Sequence, residues 1–184
     1  EMFAQNVKKT DIIIITDYGH YLINEKIAKK ISKLKKTLIV NTQINAANFG
    51  FHGISKYKGS ECAVINELEL RFETRNRKEK VSNLLIKLAK KLNIGTLVVT
   101  CGNKGSYAYS KKLNKVYYCP AFASKVVDKI GAGDCFMSVF GVVSKYTKDD
   151  LLLPMFIASI ATSEIISGYG NQNNLNLNLL KKNI

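Results

Sequence analysis

Short apolar runs punctuate the first half of the chain. Asp11 to Thr16 reads DIIIIT, a continuous β-branched run of the kind found in strands that are buried on both faces. Leu38 to Asn41 and Cys62 to Ile65 are further short runs, each placed where a parallel strand returns after a crossover. Thr96 to Thr100 is a fourth run of the same buried type. The pattern predicts four strands of a mainly parallel sheet.

Amphipathic segments lie between these runs. Ile27, Ile31 and Leu34 recur at helical spacing opposite a lysine-rich face, and Asn24 stands where an N-cap residue is expected. The predicted order is strand, helix, strand, an optional helix, strand, helix, strand. The last of these helices ends near Gly95, and its apolar stripe consists of Val81, Leu84, Leu85, Leu88 and Leu92.

The second half of the chain predicts a hairpin followed by two helices. Ser106 to Ser110 and Lys115 to Cys119 are separated by a polar turn, which is typical of a β-hairpin at the edge of a sheet. Two later segments, Gly133 to Tyr146 and about Asp149 to Ser167, are apolar on most sides, so we expect helices that are central and well buried. Pro154 falls in the first turns of the second helix, where proline is tolerated.

This alternation of strands and helices predicts an α/β fold with a mainly parallel sheet and helices on both faces. The length suffices for one domain, so we interpret residues 1–184 as a single α/β domain. With 46% hydrophobic residues, 23% charged residues and 2 prolines, the composition excludes a disordered, collagen-like or low-complexity chain. Because ligands of such sheets bind at the carboxyl ends of the strands, we expect the chemistry in the loops after Thr16, Asn41, Asn66 and Thr100 and before the helix at Gly133.

The net charge of +14, from 28 basic and 14 acidic side chains, indicates an affinity for anionic partners. Charge alone does not choose between nucleic acid, anionic lipid and phosphorylated metabolites. The basic residues lie mostly in helical stretches, which is typical of solvated helix faces. The chain has no tryptophan, and its other aromatic residues are not interleaved with the basic runs as a base-stacking platform requires. Nucleic-acid binding is therefore a weak interpretation, limited to nonspecific attraction.

The four cysteines are Cys62, Cys101, Cys119 and Cys135, which are widely spaced and include no CxxC pair, and this argues against a zinc site. Each lies in an apolar or glycine-rich stretch, as reduced cysteines of cytosolic proteins do. The start of the chain does not resemble a signal peptide. The longest apolar stretch, Leu151 to Thr162, is shorter than the roughly 20 residues of a membrane span. We predict a soluble, cytoplasmic protein without a membrane partner.

Candidate chemistry is concentrated in one segment, which reads VVDKIGAGDCF from Val126 to Phe136. Gly131, Ala132 and Gly133 are small enough for a tight turn whose N–H groups point at an anion, and the following helix adds its positive dipole end. Asp134, in the first helical turn, is placed to take a proton from a hydroxyl that attacks this anion. The alternative is an ordinary helix-start turn. The segment matches neither GxxxxGK[ST] nor GxGxxG.

This segment resembles the signature near the C-terminus of ribokinase-type carbohydrate kinases, the PfkB family. Other segments agree in order and spacing. Thr100 to Gly105, TCGNKG, resembles the T-x-G-x-x-G nucleotide turn of that family, and Asn66 to Glu69, NELE, resembles its N-x-x-E element. Asp11 to Leu22 is similar to the strand and loop of the branch that phosphorylates heptose 7-phosphate. Thr42 to Tyr57 is similar to a segment of ADP-heptose synthase-like sugar kinases.

The resemblance implies roles for the glycine loop. Asp134 would be the catalytic base that deprotonates the hydroxyl of the sugar. Gly131, Ala132 and Gly133 would form the anion hole that stabilises charge on the transferring γ-phosphoryl group. The ligands implied are ATP with Mg²⁺ and a sugar or sugar phosphate.

The resemblance also implies a set of nucleotide-binding residues. Asn66 and Glu69 would organise the phosphates and the hydrated Mg²⁺, with Glu69 acting on the metal through water. Thr100, Gly102 and Gly105 would border the phosphates and ribose of ATP. For each of these five residues, plain structural packing is the alternative.

Three departures from the family bear on this interpretation. Its members are longer, and their sugar-contacting glycine/asparagine motif and β-sheet lid belong to an N-terminal part, so we expect the chain to open in the middle of the family's fold. His20 stands where heptose kinases usually have lysine, and Asn41 to Asn45 reads NTQIN where many have a DPK motif. Cys135 follows the base at a position that is often threonine, serine or alanine. Because cysteine is also small, we expect Asp134 to be undisturbed.

Two functional hypotheses follow. The first is the catalytic part of an ATP-dependent kinase for a sugar or sugar phosphate, most similar to the heptose kinase of ADP-heptose synthesis. Its candidate partners are a second copy of the chain and an attached nucleotidyltransferase domain. The second is a nucleotide-binding module without kinase activity of its own. We interpret His20 and His52 as polar loop residues, and Asp149 and Asp150 as helix-start residues.

Overall fold

Six strands of the described chain pair side by side in the order in which they occur along it. The computed structural model describes residues 10–34, 36–48, 50–147 and 149–169. The first four strands are parallel and the last two are antiparallel, which confirms the predicted parallel sheet and the predicted hairpin. The strands are β1 (Ile12–Asp17), β2 (Thr37–Thr42), β3 (Cys62–Asn66), β4 (Thr96–Thr100), β5 (Ser106–Ser110) and β6 (Lys115–Cys119).

Helices cover both faces of this sheet, which confirms the predicted α/β fold class. The helices of the described residues are α1 (Glu25–Ile31), α2 (Glu67–Thr74), α3 (Val81–Leu92), α4 (Ala132–Tyr146) and α5 (Leu152–Ile166), with single 3₁₀ turns at Ile54–Tyr57 and Gly102–Lys104. Buried residues of α1, α2 and α3 belong to one hydrophobic core, so these helices share one face. Right-handed crossovers between neighbouring parallel strands produce this arrangement. The helices α4 and α5 follow the sheet in sequence and pack against its other face.

Each parallel strand contributes to two hydrophobic cores. In β2, Leu38 and Val40 join the core under α1 to α3, whereas Ile39 joins the core under α4 and α5. Burial on both faces explains why these strands read as continuous apolar runs in the sequence. The second core is tight, because a Cβ atom at Gly141 of α4 would lie 2.3 Å from Cδ1 of Ile39. Glycine at this position lets α4 lie close to the sheet.

The structure differs from the predicted elements at three points. The predicted order omits α2, whose sequence ELELRFET carries no regular apolar stripe. The optional helix between β2 and β3 is only the 3₁₀ turn at Ile54–Tyr57. The helix α3 ends earlier than predicted, because Asn93, with φ of 56°, adopts the left-handed conformation that closes it. Gly95 is instead required by packing, since a Cβ atom there would lie 2.7 Å from the carbonyl oxygen of Glu61.

The helices α4 and α5 are less enclosed than predicted. They pack on each other and on the sheet, and α5 tolerates Pro154 as the third residue of its first turn. However, Val142, Leu152 and Leu153 are each at least 45% exposed. Only one side of each helix can face the sheet or its partner helix, so the apolar residues on the other side remain in solvent.

The acidic residues before α5 have two different roles. Asp150 accepts a hydrogen bond from the Leu152 N–H at 2.9 Å, as a helix-start residue does. Asp149 instead forms an exposed ion pair with Lys112, with N–O distances of 2.9 Å. Among the described helices, none is long and apolar enough to cross a membrane. The expectations for residues 1–9 and for the tail beyond residue 169 lie outside the described residues.

Candidate active site

The carboxyl ends of the parallel strands meet at one edge of the sheet. Asp17 at the end of β1 is in register with Thr42 of β2, and Asn66 of β3 is in register with Thr100 of β4. The loops that follow these residues are the ones in which the sequence places the chemistry. The N-terminus of α4 reaches the same edge, since the side chain of Tyr18, directly after β1, contacts Asp134.

The glycine loop forms the left-handed turn that starts α4. Gly131 has φ of 78° and ψ of −5°, a conformation that favours glycine, and its carbonyl oxygen accepts a hydrogen bond from the Cys135 N–H at 2.9 Å. The Ala132 N–H donates to the carbonyl oxygen of Lys129 at 3.2 Å, so it is already engaged. The N–H groups of Gly131 and Gly133 have no backbone acceptor among the described residues. These two amides, at the positive end of a 15-residue helix, suit an anion.

Asp134 presents two unlike oxygens. Its Oδ2 accepts a hydrogen bond from the hydroxyl of Tyr18 at 2.9 Å, in an exposed position. Its Oδ1 is buried and has no hydrogen-bond partner within the described part of the chain. The pKa of Tyr18 is raised, first by this hydrogen bond and then by burial and the charge of Asp134. Tyr18 is therefore a protonated donor at neutral pH, and the outward oxygen of Asp134 is the one that a ligand can reach.

The residue after Asp134 is an uncharged neighbour. Burial raises the pKa of the Cys135 thiol above its ordinary value of 9.0, the charge of Asp134 raises it further, and a hydrogen bond with Thr162 of α5 lowers it. Because the net shift is upward, Cys135 is a neutral thiol at neutral pH. It adds no second charge beside Asp134.

Asn66 and Glu69 form a reciprocal cap at the start of α2. The Asn66 side chain accepts from the Glu69 N–H, and the Glu69 Oε2 accepts from the Asn66 N–H, both at 2.9 Å. The other oxygen of Glu69 accepts from the N–H of Ile44, in the loop after β2, at 3.3 Å. Glu69 is only 3% exposed, and burial raises its pKa although these hydrogen bonds oppose the rise. The local task of this pair is to start a helix and to hold the neighbouring loop.

These residues do not fit direct coordination of a magnesium ion. Both carboxylate oxygens of Glu69 are occupied by backbone N–H groups, and the side chain is buried. Within residues 10–34, 36–48, 50–147 and 149–169, no three metal-ligating side chains gather in one place. The four cysteines are free thiols. We therefore derive no chemical step through a metal, and the role predicted for Glu69 stays a prediction.

Backbone hydrogen bonds that involve two glycines close the turn after β4. The Cys101 N–H donates to the carbonyl oxygen of Gly105 at 2.8 Å, and the Gly105 N–H donates to that of Gly102 at 3.1 Å. Both glycines have positive φ, 58° at Gly102 and 82° at Gly105. A Cβ atom at Gly105 would lie 2.1 Å from the carbonyl oxygen of Cys119, so packing alone requires this glycine. Gly102 is exposed with open space above it, which leaves its backbone accessible to a ligand.

A buried polar cluster beside the site is missing from the sequence-based prediction. Asp17 is 5% exposed; its Oδ2 lies 2.5 Å from the Lys56 ammonium nitrogen and accepts from the Tyr57 hydroxyl at 2.7 Å. Its Oδ1 accepts from the Gly19 N–H at 3.1 Å. Burial raises the pKa of Asp17, but the hydrogen bonds from Lys56 and Tyr57 outweigh it, and the net shift is downward. The side-chain partners, Lys56 and Tyr57, lie about 40 positions along the chain, where no local pattern points to them.

His52 lies in the loop between β2 and the 3₁₀ turn at Ile54–Tyr57, as expected, and it joins this cluster. Its side chain is 7% exposed, and its Nε2 lies 3.0 Å from the carbonyl oxygen of Asp17 and 3.8 Å from Oδ1. His20, in contrast, is exposed, as expected for a loop residue. The difference arises because the loop after β2 folds back onto the end of β1.

A cavity lies beside this edge and not on it. It measures about 760 Å³ and adjoins the Asp17 cluster through Gly19, His52 and Lys56. Its lining includes none of the residues predicted to bind nucleotide or to act as base.

Comparison with known proteins gives one family. The profile of the pfkB family carbohydrate kinases matches residues 3–148. The bifunctional protein HldE of Campylobacter curvus is 24% identical over 171 residues, which cover 91% of this chain and 35% of that protein. HldE of Desulfatibacillum aliphaticivorans is 28% identical over 144 residues, which cover 76% of this chain and 29% of that protein. The chain thus spans about a third of the length of these relatives.

Solved structures of ribokinases have a similar fold. The ribokinase of Thermotoga maritima superposes with a TM-score of 0.76 at 17% identity, and that of Giardia lamblia with 0.78 at 16%. The Arabidopsis thaliana ribokinase complexed with ribose and ATP gives 0.76 at 22% identity. These matches cover 97%, 98% and 98% of the present chain and 58%, 62% and 59% of the respective ribokinases.

Proposed function

The chain belongs to the pfkB family of carbohydrate kinases, and from this premise we propose that it carries the nucleotide-binding and base-bearing part of an ATP-dependent sugar kinase. The single observation that carries the proposal is the position of Asp134. It lies in the first turn of α4, directly after a glycine loop with two unengaged amides, and one of its oxygens faces outward. An anion site and a proton acceptor are therefore adjacent, as transfer of a phosphoryl group to a hydroxyl requires.

The glycine loop supplies the electrostatic part of this reaction. The N–H groups of Gly131 and Gly133, with the dipole of α4 behind them, bind the negative charge that develops on the transferred phosphoryl group. Side chains larger than methyl are absent from positions 131 to 133, so the backbone can be approached closely. Bound ATP supplies the phosphoryl group.

Asp134 supplies the proton transfer. The acceptor hydroxyl of the sugar loses its proton to Oδ2 of Asp134 as its oxygen attacks the γ-phosphorus of ATP; the bond from this phosphorus to the bridging oxygen breaks, and ADP leaves. Thr100 and Gly102, at the neighbouring strand end, border the nucleotide, and the exposed backbone of Gly102 allows close contact. Gly105 supports that turn through its packing on Cys119.

The acceptor that we propose is a phosphorylated sugar, with a heptose phosphate as the leading candidate. The two segments that resemble the heptose branch are interlocked in space, because Asp17 binds Lys56 and Tyr57 while the Tyr18 carbonyl oxygen binds Asn48. This interlocked pair of loops adjoins Asp134 through Tyr18. The net charge of +14 favours an anionic substrate. A nucleotidyltransferase domain and a second copy of the chain are the partners that we propose.

The test replaces Asp134 in the intact protein. The substitution Asp134→Asn should reduce phosphorylation of the sugar by about 10²- to 10⁴-fold, the usual contribution of a general base, while ATP still binds in calorimetric titration. The matched control is Asp149→Asn, which makes the same chemical change in an exposed ion pair. Turnover that survives in Asp134→Asn contradicts the assignment of the base.

A second function that we propose is a nucleotide-binding module without kinase activity of its own. The amides of Gly131 and Gly133 suit the phosphates of a nucleotide whether or not a hydroxyl is phosphorylated. Calorimetric titration with ATP and magnesium, together with a sugar-phosphorylation assay on this chain alone, separates the two. Nucleotide binding without phosphoryl transfer supports the module.

A further inference from the structure

Tyr18 connects the end of β1 with the start of α4, where the candidate base Asp134 lies. It follows β1 directly, and its hydroxyl donates to Oδ2 of Asp134, 116 positions later in the sequence, at 2.9 Å. The side chain is 39% exposed, so the hydrogen bond lies at the surface where a substrate arrives and not within the core. Tyr18 lies in the segment from Asp11 to Leu22, but the resemblance of this segment implies no role for it.

The backbone of Tyr18 is held in place from both sides. Its carbonyl oxygen accepts hydrogen bonds from the side-chain amides of Asn45 at 3.2 Å and Asn48 at 3.1 Å. Before it, Asp17 is anchored in its buried cluster. After it, Gly19 has φ of 72°, and a Cβ atom there would lie 2.3 Å from Nδ2 of Asn48. These contacts restrict the backbone on both sides of Tyr18. The restricted backbone sets the direction in which the tyrosine side chain leaves the loop.

The two oxygens of Asp134 differ in what they can do. Because Oδ1 has essentially no exposed surface, an approaching hydroxyl meets Oδ2. A carboxylate oxygen can accept more than one hydrogen bond, so Tyr18 and the acceptor hydroxyl can share Oδ2. A hydrogen bond to a carboxylate is strong and directional, and it fixes the plane of the carboxylate group.

We propose that Tyr18 is a positioning residue for the base: its hydroxyl holds Oδ2 of Asp134 outward, so that the acceptor hydroxyl of a sugar binds the remaining lone pair of that oxygen. This inference rests on the proposed function. Tyr18 keeps its own proton throughout, and the proton of the sugar hydroxyl moves to Asp134. The raised pKa of the Tyr18 hydroxyl agrees with a permanent donor.

Steady-state kinetics of Tyr18→Phe in the intact protein test the proposal. We expect kcat to fall by about 10- to 100-fold, the usual effect of losing one hydrogen bond to a charged group, with KM for ATP changed less than about two-fold. The control Tyr146→Phe removes a hydroxyl at the far end of α4, where the side chain is 76% exposed, and should leave kcat unchanged. Unchanged or increased kcat in Tyr18→Phe, while Asp134→Asn is inactive, overturns the positioning role and leaves the proposed function standing.

A double-mutant cycle distinguishes positioning from a general structural effect. If Tyr18 acts only through Asp134, Tyr18→Phe has no further effect on the residual turnover of Asp134→Asn. An equal loss in both backgrounds overturns the proposal. Substantial turnover in Asp134→Asn itself overturns the proposed function and this inference together.

A titration of the tyrosine provides a readout that needs no activity. The absorbance of tyrosinate is recorded against pH, and the curve of Tyr18→Phe is subtracted to isolate Tyr18. In Asp134→Asn, Tyr18 should ionise at lower pH than in the parent, because its hydrogen bond to the carboxylate and the charge of Asp134 are gone. An unchanged curve overturns the proposed contact.

Discussion

The ammonium nitrogen of Lys56 lies 2.5 Å from the carboxylate oxygen Oδ2 of Asp17, and both side chains are largely buried. The pair connects the end of β1 with the 3₁₀ turn before β3. The same lysine donates to the carbonyl oxygen of Ile23 at 2.8 Å, and the same carboxylate accepts from Tyr57. This arrangement holds the loop that carries Tyr18, so its stability bears on the candidate site.

Removing the lysine should destabilise the fold strongly. Lys56→Met leaves the buried carboxylate of Asp17 without its countercharge, and we expect the free energy of unfolding to fall by about 3–5 kcal/mol. Lys112→Met removes an exposed partner of Asp149 and should cost at most about 1 kcal/mol. Urea denaturation of both variants measures the difference. Equal losses would show that the Asp17 pair contributes no more than a surface ion pair.

Acid should weaken the same cluster. The pKa of Asp17 is lowered in the folded protein from its ordinary value of 3.8, so the ionised carboxylate stabilises the fold above that value. This contribution is lost as the pH falls below about 3.8 and the folded protein takes up the proton. Unfolding experiments at a series of acid pH values should therefore show a steeper loss of stability in the parent than in Asp17→Asn. The exposed Asp149→Asn serves as control and should follow the parent.

The contribution of Glu69 to folding stability should depend on pH in the opposite direction to that of Asp17. Burial raises its pKa above the ordinary 4.5, so the folded protein holds this proton more tightly than the unfolded chain does. The contribution of Glu69 to stability is therefore largest below about pH 4.5 and declines as the pH rises through its raised pKa. In Glu69→Gln, measured without nucleotide or metal, this decline should disappear. A decline of the same size in the parent and in Glu69→Gln would show that the buried carboxylate of Glu69 is not its cause.

The substitution Gly133→Ala should weaken ATP binding without destabilising the fold. A Cβ atom there meets nothing within 4 Å, and alanine favours helix more than glycine does, so Gly133→Ala should not lower stability. The added methyl group, however, stands beside the amides that we assign to the phosphate, and ATP affinity should fall by about ten-fold, or 1.4 kcal/mol. Calorimetry measures the affinity, with the exposed Ser138→Ala on the same helix as control. Undiminished ATP affinity in Gly133→Ala would show that the glycine loop does not bind the nucleotide.

The sequence reveals the sheet of this protein better than its site. Continuous apolar runs identify β1 to β4, because strands buried on both faces leave no polar alternation. The helix α2 is not predicted because ELELRFET carries no regular apolar stripe. The reciprocal cap between Asn66 and Glu69 stabilises this helix instead. The same two residues resemble a phosphate and metal element, so the resemblance predicts a ligand role and does not reveal their local capping role.

Contacts between distant parts of the chain explain what the sequence could not predict. The side-chain partners of Asp17 lie 35 to 40 positions away, and Tyr18 lies 116 positions from Asp134. Neither spacing corresponds to a local motif, and both arise because the parallel sheet brings strand ends and the start of α4 to one edge. The register of the sheet, and not any single segment, assembles the candidate site.

Transfer of phosphate from labelled ATP to sugar phosphates, heptose 7-phosphate among them, tests whether Asp134 is the base of a sugar kinase. The intact protein is compared with Asp134→Asn and Asp149→Asn, and ATP binding is measured in each by calorimetry. We expect labelled sugar phosphate with the parent and with Asp149→Asn, and a loss of about 10²- to 10⁴-fold with Asp134→Asn at unchanged ATP affinity. Labelled product formed equally by Asp134→Asn would contradict this expectation.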